Sequence, residues 1–316
     1  MNHSKQNILT VRANCFAQIR AYFAEQQVLE VDTPLLAEWS VTDPYMSAMQ
    51  VSNWQEKRLG YLQTSPEYAM KKLLCHGSGD IFQLGKVFRA DEKSPHHSDE
   101  FTMLEWYRLG YSESELMDEV HHLIRQISGV QQRVSYSYRE VFQAFLGIDP
   151  FEILPADLAQ FCQSQLGELP DRMLFDNYLT LLFATKIEPA FAADKVTFVY
   201  DFPASQASLA KTAKRSYGEV GLRFEAYAGG LELANGFNEL TDANLQLARF
   251  EKDNQIRQAL GYPLIEIDDE LIEAMKKGLP QCAGVALGID RLLMLLLNES
   301  DIRKVLPMSL LNQTSD

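Results

Sequence analysis

The sequence predicts an α+β fold in which a mostly antiparallel sheet is flanked by helices. Its strand-like segments lie far apart along the chain, several come as hairpin pairs, and stretches of helical periodicity bracket them. No repeat, low-complexity tract or flexible linker interrupts the 316 residues. That reads as one unit over 1–316, with a mainly helical insertion around 112–195.

Val11, Cys15, Ile19, Tyr22 and Phe23 recur at helical spacing, so an amphipathic helix spans residues 8–27. Residues 28–34 read as a short strand ended by Pro34, which cannot donate to a ladder. A helix opens at Ser65-Pro66-Glu67. Ser65 suits the N-cap, Pro66 the first turn, and Glu67 complements the helix dipole. Strands at 81–89 and 100–108 are joined by the polar stretch 90–99, and a helix follows over 114–127. Residues 130–195 look irregular and helical, with candidates at 138–146, 158–165 and 177–187. Strands return at 196–202, 221–228 and 231–240. Asp242 caps a helix to residue 260, Asp268 or Asp269 caps another to 277, and 288–298 form a last buried helix.

Composition narrows the function. Asp and Glu number 43 against 29 Lys and Arg, a formal net charge of −14. Such a surface repels a phosphate backbone, so nucleic acid is a poor main partner unless a local basic patch overrides the average, and a basic protein is a better one. The four cysteines are scattered, without C-x-x-C spacing, and suggest neither zinc nor a disulfide framework. The longest apolar run, 292–297, is too short to span a bilayer, and no signal-like segment opens the chain. A cytoplasmic protein with no membrane contact is expected.

Four segments carry chemistry. In Phe101-Thr102-Met103-Leu104-Glu105-Trp106-Tyr107, alternation puts Phe101, Met103, Glu105 and Tyr107 on one strand face. A carboxylate there needs a cationic partner, either a ligand or a protein Arg or Lys. Arg89 ends a strand beside a polar hairpin loop, where its planar fork suits phosphate oxygens; a solvated hairpin with an ordinary salt bridge is the alternative. Phe101 could stack on a base. Glu225 and Glu232 flank a Gly229-Gly230 turn, and clustered carboxylates without His or Cys suit Mg²⁺; solvated surface acids are the alternative. Asn235, Phe237 and Glu239 alternate onto one face, and Glu232 is out of phase with them unless a bulge re-aims it. Finally, Gly284, Ala286 and Gly288 permit close approach, and Arg291 in a buried helix needs an anion, a phosphate or an acid such as Asp290.

Taken in order, these segments resemble the signature motifs of class II aminoacyl-tRNA synthetases of the lysine type. Leu29-Glu30-Val31-Asp32-Thr33-Pro34 with its preceding helix resembles motif 1, Phe88-Arg89 through Glu105 motif 2, and Gly288-Ile289-Asp290-Arg291 motif 3. Thr197-Phe198-Val199-Tyr200-Asp201-Phe202-Pro203 and Asn235-Gly236-Phe237-Asn238-Glu239-Leu240 are similar to further segments of that type. The chain begins at motif 1, which leaves no room for an anticodon-reading domain, and Ala286 stands where lysine enzymes usually carry Gly. Both features resemble the elongation factor P–(R)-β-lysine ligase family, as do Gln63-Thr64-Ser65-Pro66-Glu67-Tyr68 and the run from Phe101 to Tyr107.

The resemblance implies a class II synthetase-like fold and a homodimer. It implies activation of (R)-β-lysine, or lysine, with ATP and Mg²⁺, and transfer to a lysine of elongation factor P. Arg89 and Arg291 would be catalytic, holding the α- and γ-phosphates. Ala90, Asp91, His97, Ser98, Phe101, Glu232, Leu233 and Gly288 would complete the ATP site. Glu225 and Glu232 would hold the metal. Ser65, Pro66, Glu67, Glu105, Tyr107, Asn235, Phe237, Glu239 and Ala286 would receive the amino acid, with Glu239 at its distal ammonium. Asp91 stands where Glu is usual, Ala90 and Ser98 where Asn is usual, and Asp99 where Pro is usual, which alters the contacts to adenine. A lysine-adenylating or tRNA-charging enzyme is the alternative reading. A catalytically dead paralogue is disfavoured, because both arginines and the acid pair are present.

Overall fold

The computed structural model describes residues 5–90, 94–170 and 173–307, with side chains from residue 8 onward. Asp91, expected in the ATP site, lies outside the described residues. Helix α1 (Lys5–Glu25) comes first and buries Cys15, Ile19 and Phe23. The strand expected over 28–34 shortens to β1 (Leu29–Glu30), because only two residues find a partner. Three short strands follow that patterning did not single out: β2 (Leu36–Ala37), β3 (Gln50–Ser52) and β4 (Arg58–Leu62), paired in the order β2-β4-β3. Helix α2 (Glu67–Cys75) starts one residue later than expected. Pro66 occupies its N-cap, and Ser65 Oγ still accepts the Glu67 N–H at 3.2 Å.

Strands β5 (Ile81–Phe88) and β6 (Glu100–Leu109) form the expected hairpin. Helix α3 (Glu113–Ser128) carries a capping box from Ser112 and ends at left-handed Gly129. The stretch 130–195, expected to be irregular and helical, is not wholly helical. It opens with β7 (Gln132–Ser137), a strand missed because its pattern is mostly polar, and continues through α4 (Tyr138–Leu146), α5 (Pro155–Leu166) and α6 (Phe175–Leu182). Then come β8 (Lys195–Pro203), β9 (Thr212–Arg215), β10 (Gly218–Ala228) and β11 (Leu231–Asn238). Helices α7 (Ala243–Ala259) and α8 (Asp269–Gly278) are capped by Asp242 and Asp268. Strand β12 (Cys282–Gly288) precedes α9 (Ile289–Leu297), which Gly288 starts and left-handed Asn298 ends.

The main sheet runs β1-β5-β6-β12-β11-β10-β8-β7, with β9 on β10; β1–β5 and β7–β8 are parallel and the other pairs antiparallel. One face packs on α1, α3 and α9 through Phe23, Leu104, Trp106, Val285, Leu287 and Leu292. Among the described residues, the other face carries an apolar cluster at each of its two ends. Met70, Leu74, Ile272 and Phe250 of α2, α8 and α7 cover Ile81 and Tyr107, while α4–α6 cover Val199, Phe202 and Tyr227. Between them the middle of this face forms the floor of a trough whose polar side chains, Gln83, Glu105 and Glu225 among them, are buried. Among the described residues, no helix is long and apolar enough to cross a membrane.

Candidate active site

Cross-strand register lays the trough floor down in rows. Gln83, Glu105, Ala286, Asn235 and Glu225 are successive partners across β5, β6, β12, β11 and β10. Partners in register share a face, so all five side chains start from the same side of the sheet. The adjacent row is Ile81, Tyr107, Gly284, Phe237 and Arg223. Gly284 is obligatory here: a Cβ would stand 2.3 Å from the Tyr107 ring and 2.5 Å from Glu239 Oε1. On the opposite side of the Glu105 row lie Met103 and Gly288, and beyond them Phe101.

At one end of the trough, acids gather around a buried lysine that patterning missed. Lys71 Nζ lies 2.7 Å from both Glu67 Oε1 and Glu239 Oε2. Burial pulls its pKa down, but the two carboxylates outweigh that and leave it raised. Its position four residues after Glu67 on a helix was the available signal. Among the described residues no Lys or Arg ion-pairs with Glu105; Tyr107 Oη donates to Glu105 Oε1 at 2.7 Å. Burial, helped by repulsion from Glu67, pushes the Glu105 carboxyl up to about 8. Burial likewise raises Glu239 to about 7, partly offset by Lys71. Gln83 Oε1, Glu105 Oε2 and Asn235 Oδ1 are buried without a hydrogen-bond partner. Ser65 and Pro66 flank this end at the start of α2, and Phe237 and Ala286 complete its floor.

At the other end lie the arginines. The Arg89 guanidinium sits 5.2 Å from the Phe101 ring centroid, and its Nε faces Thr64 O at 3.5 Å. Ala90 N–H donates to Ser47 O, tying the hairpin to the loop after β2. Arg291 donates to Glu232 O at 2.8 Å and to His97 Nε2 at 2.6 Å. Asp290 is not its partner: that side chain turns to the opposite face, onto Arg12 and the Thr102 N–H. Burial and the Arg291 charge hold His97 down at about 4. Arg291 contacts both Glu232 and His97, and the Arg89 charge reaches the same two groups; these four residues outline the candidate nucleotide cleft. Ser98 is half-buried beside them. Gly288 faces this cleft with Leu233 O 3.9 Å from where its Cβ would be; the Leu233 side chain packs into the core behind the sheet, so only its backbone can reach a nucleotide.

A bulge settles the phase of Glu232. Ala226 pairs with Ala234 and Tyr227 with Glu232, so Leu233 is the extra residue and Glu232 joins the face of Glu225. Glu225 is engaged by Arg223 and Tyr227 Oη. Burial raises Glu232, and so does Glu225 beside it. Glu188, from the turn after α6, adds a third acid near the pair, raised to about 7 chiefly by burial. Arg223, Tyr227 and Glu188 were not anticipated.

The chain matches the family of tRNA synthetases class II (D, K and N) over residues 1–310. A Photorhabdus laumondii protein named elongation factor P–(R)-β-lysine ligase is 45% identical over 315 residues, which cover 96% of this chain and 94% of that protein. Proteins of the same name from Yersinia enterocolitica and Pasteurella multocida are 46% and 45% identical, covering 94% and 98% of this chain and 93% and 96% of theirs.

Proposed function

We propose a reaction that follows from membership: this chain belongs to the class II tRNA synthetases (D, K and N) and, within them, to the elongation factor P–(R)-β-lysine ligases. It is an ATP-dependent, AMP-forming ligase that activates (R)-β-lysine and passes it to the ε-amine of a lysine on elongation factor P. The observation that carries this reading is the trough's charge. Lys71 pairs with Glu67 and Glu239, while Glu105 beside them has no ion-pair partner among the described residues, and Arg89 and Arg291 stand at the other end. A small acid bearing two ammonium groups, next to a triphosphate, complements both ends.

Arg89 and Arg291 hold the α- and γ-phosphates, with Phe101 against adenine and Ala90, His97, Ser98, Leu233 and Gly288 around the nucleotide. An oxygen of the amino-acid carboxylate attacks the α-phosphorus, the bond to the bridging oxygen breaks, and pyrophosphate leaves. The acceptor ε-amine then attacks the carbonyl carbon of the mixed anhydride. AMP departs with its oxygen, and loss of the amine proton leaves an amide. Placement and fixed positive charge supply the catalysis, with no covalent enzyme intermediate. Glu225 and Glu232 would hold Mg²⁺: the bulge puts both on one strand face, where a dication would relieve the repulsion between them. Bound there, Mg²⁺ supplies positive charge against the triphosphate.

The exposed edge of the main sheet at β1, with Leu29 56% exposed, supports contact between two copies, and light scattering tests the dimer. A translation-factor substrate places the enzyme in the cytoplasm, and the acidic surface disfavours tRNA as acceptor. The decisive experiment is pyrophosphate exchange with (R)-β-lysine and with α-lysine, followed by intact mass of purified elongation factor P. Faster exchange with the β-isomer and gain of one β-lysyl group are expected. Preference for α-lysine together with charging of tRNA would establish the alternative.

A further inference from the structure

We infer that Gln83 is a specificity residue: with Glu105 it receives the substrate's proximal ammonium, the one nearer the reacting carboxylate. This rests on the amino-acid pocket proposed above. Gln83 is only 5% exposed, in the middle of a strand whose neighbours Phe82 and Leu84 pack into the core. A buried amide oxygen normally has a donor, and Gln83 Oε1 has none.

The side chains level with it carry unmet acceptors of their own. The cross-strand partner is Glu105, whose Oε2 is also buried and unpartnered, and the same row ends in Asn235 with its Oδ1 in that condition. The nearest buried lysine, Lys71, is committed to Glu67 and Glu239. A row of acceptors is served by a group with several donors and no acceptor, and an ammonium is that group.

Position along the strands selects which ammonium. Passing down β6 from Phe101 at the nucleotide end, Glu105 comes before Tyr107, and Gln83 is level with Glu105. Glu239 belongs to the deeper row, against Gly284 and Tyr107. The reacting carboxylate must lie near Arg89 at the nucleotide end. Its neighbouring ammonium therefore meets Gln83 and Glu105, and the distal one meets the row of Glu239. The α- and β-isomers of lysine differ only in which carbon bears the proximal ammonium. A contact fixed on a central strand, with the Ala286 methyl beside Glu105, is placed to tell them apart.

The test uses acyl-sulfamoyl adenosines, stable mimics of the adenylate, on the full-length protein. One carries (R)-β-lysine; the other carries 6-aminohexanoate, which keeps the distal amine and lacks the proximal one. Gln83→Met removes the oxygen at similar volume, and Gln83→Glu retains an acceptor. We expect Gln83→Met to weaken the β-lysyl mimic at least about tenfold and the 6-aminohexanoyl mimic less than about threefold, with Gln83→Glu keeping the discrimination. Equal losses on both mimics, or none on either, overturn the assignment. If Gln83→Met melts early, Gln83→Glu and Gln83→Ser carry the same comparison. A wild-type protein that binds both mimics equally shows instead that no proximal ammonium is read here, and the amino-acid pocket itself then fails.

Discussion

Lys71 Nζ lies 2.7 Å from Glu239 Oε2, and the two side chains are 2% and 1% exposed. The same nitrogen reaches Glu67, so one cation joins α2 to the end of β11. Removing it by Lys71→Met leaves buried Glu239 without its cation and facing the half-buried Glu67, which costs about 3–5 kcal/mol. Adding Glu239→Gln should return part of that loss. Denaturant unfolding of both variants checks this, and a single mutant as stable as the parent would contradict the pairing.

Arg291 meets Glu232 only at 4.0 Å, and its closer contacts are carbonyls and a neutral imidazole. Its charge is therefore available to a ligand anion. Arg291→Ala should lower pyrophosphate exchange by at least about 10²-fold with little change in melting temperature. Unchanged exchange would remove Arg291 from the reaction.

Glu105 and Glu239 titrate at about 8 and about 7, both above the ordinary 4.5. A carboxyl raised on folding keeps its proton where the unfolded chain has lost it. The ligand-free protein therefore loses stability as pH rises from about 4.5 to about 8. An ammonium ligand needs the ionised acids, so KM for the amino acid should fall over about pH 6 to 8 while KM for ATP stays level. Exchange assays with each substrate varied in turn read both. An amino-acid KM that rises across that range would count against ammonium binding at these acids.

Ala286 stands opposite Glu105 on one side and Asn235 on the other, so its methyl narrows the row that meets the substrate. Ala286→Gly should raise the ratio of α-lysine to (R)-β-lysine exchange by about tenfold or more, the worth of one methyl in a close-fitting pocket. A ratio that does not move would assign isomer choice to other residues.

Local patterns carried the elements that form by short-range rules. Alternation placed Phe101, Met103, Glu105 and Tyr107 on one face, and the Asp242, Asp268 and Gly288 starts match the helices. Strand β12 escaped notice because its small residues carry no β-propensity signal, and β7 because its pattern is largely polar. Glu232 could be recognised as out of phase, but the bulge that brings it beside Glu225 depends on pairing with β10.

The sequence by itself determined the helix caps, the alternating strand faces and the order of motifs, because each follows from neighbours a few residues apart. Only the tertiary structure decided that Gln83 lies level with Glu105, that Lys71 stands between Glu67 and Glu239, and that Asp290 leaves Arg291 for Arg12. Those pairings join residues from distant parts of the chain. Strand register and burial fix them, and neither is written in any local stretch of residues.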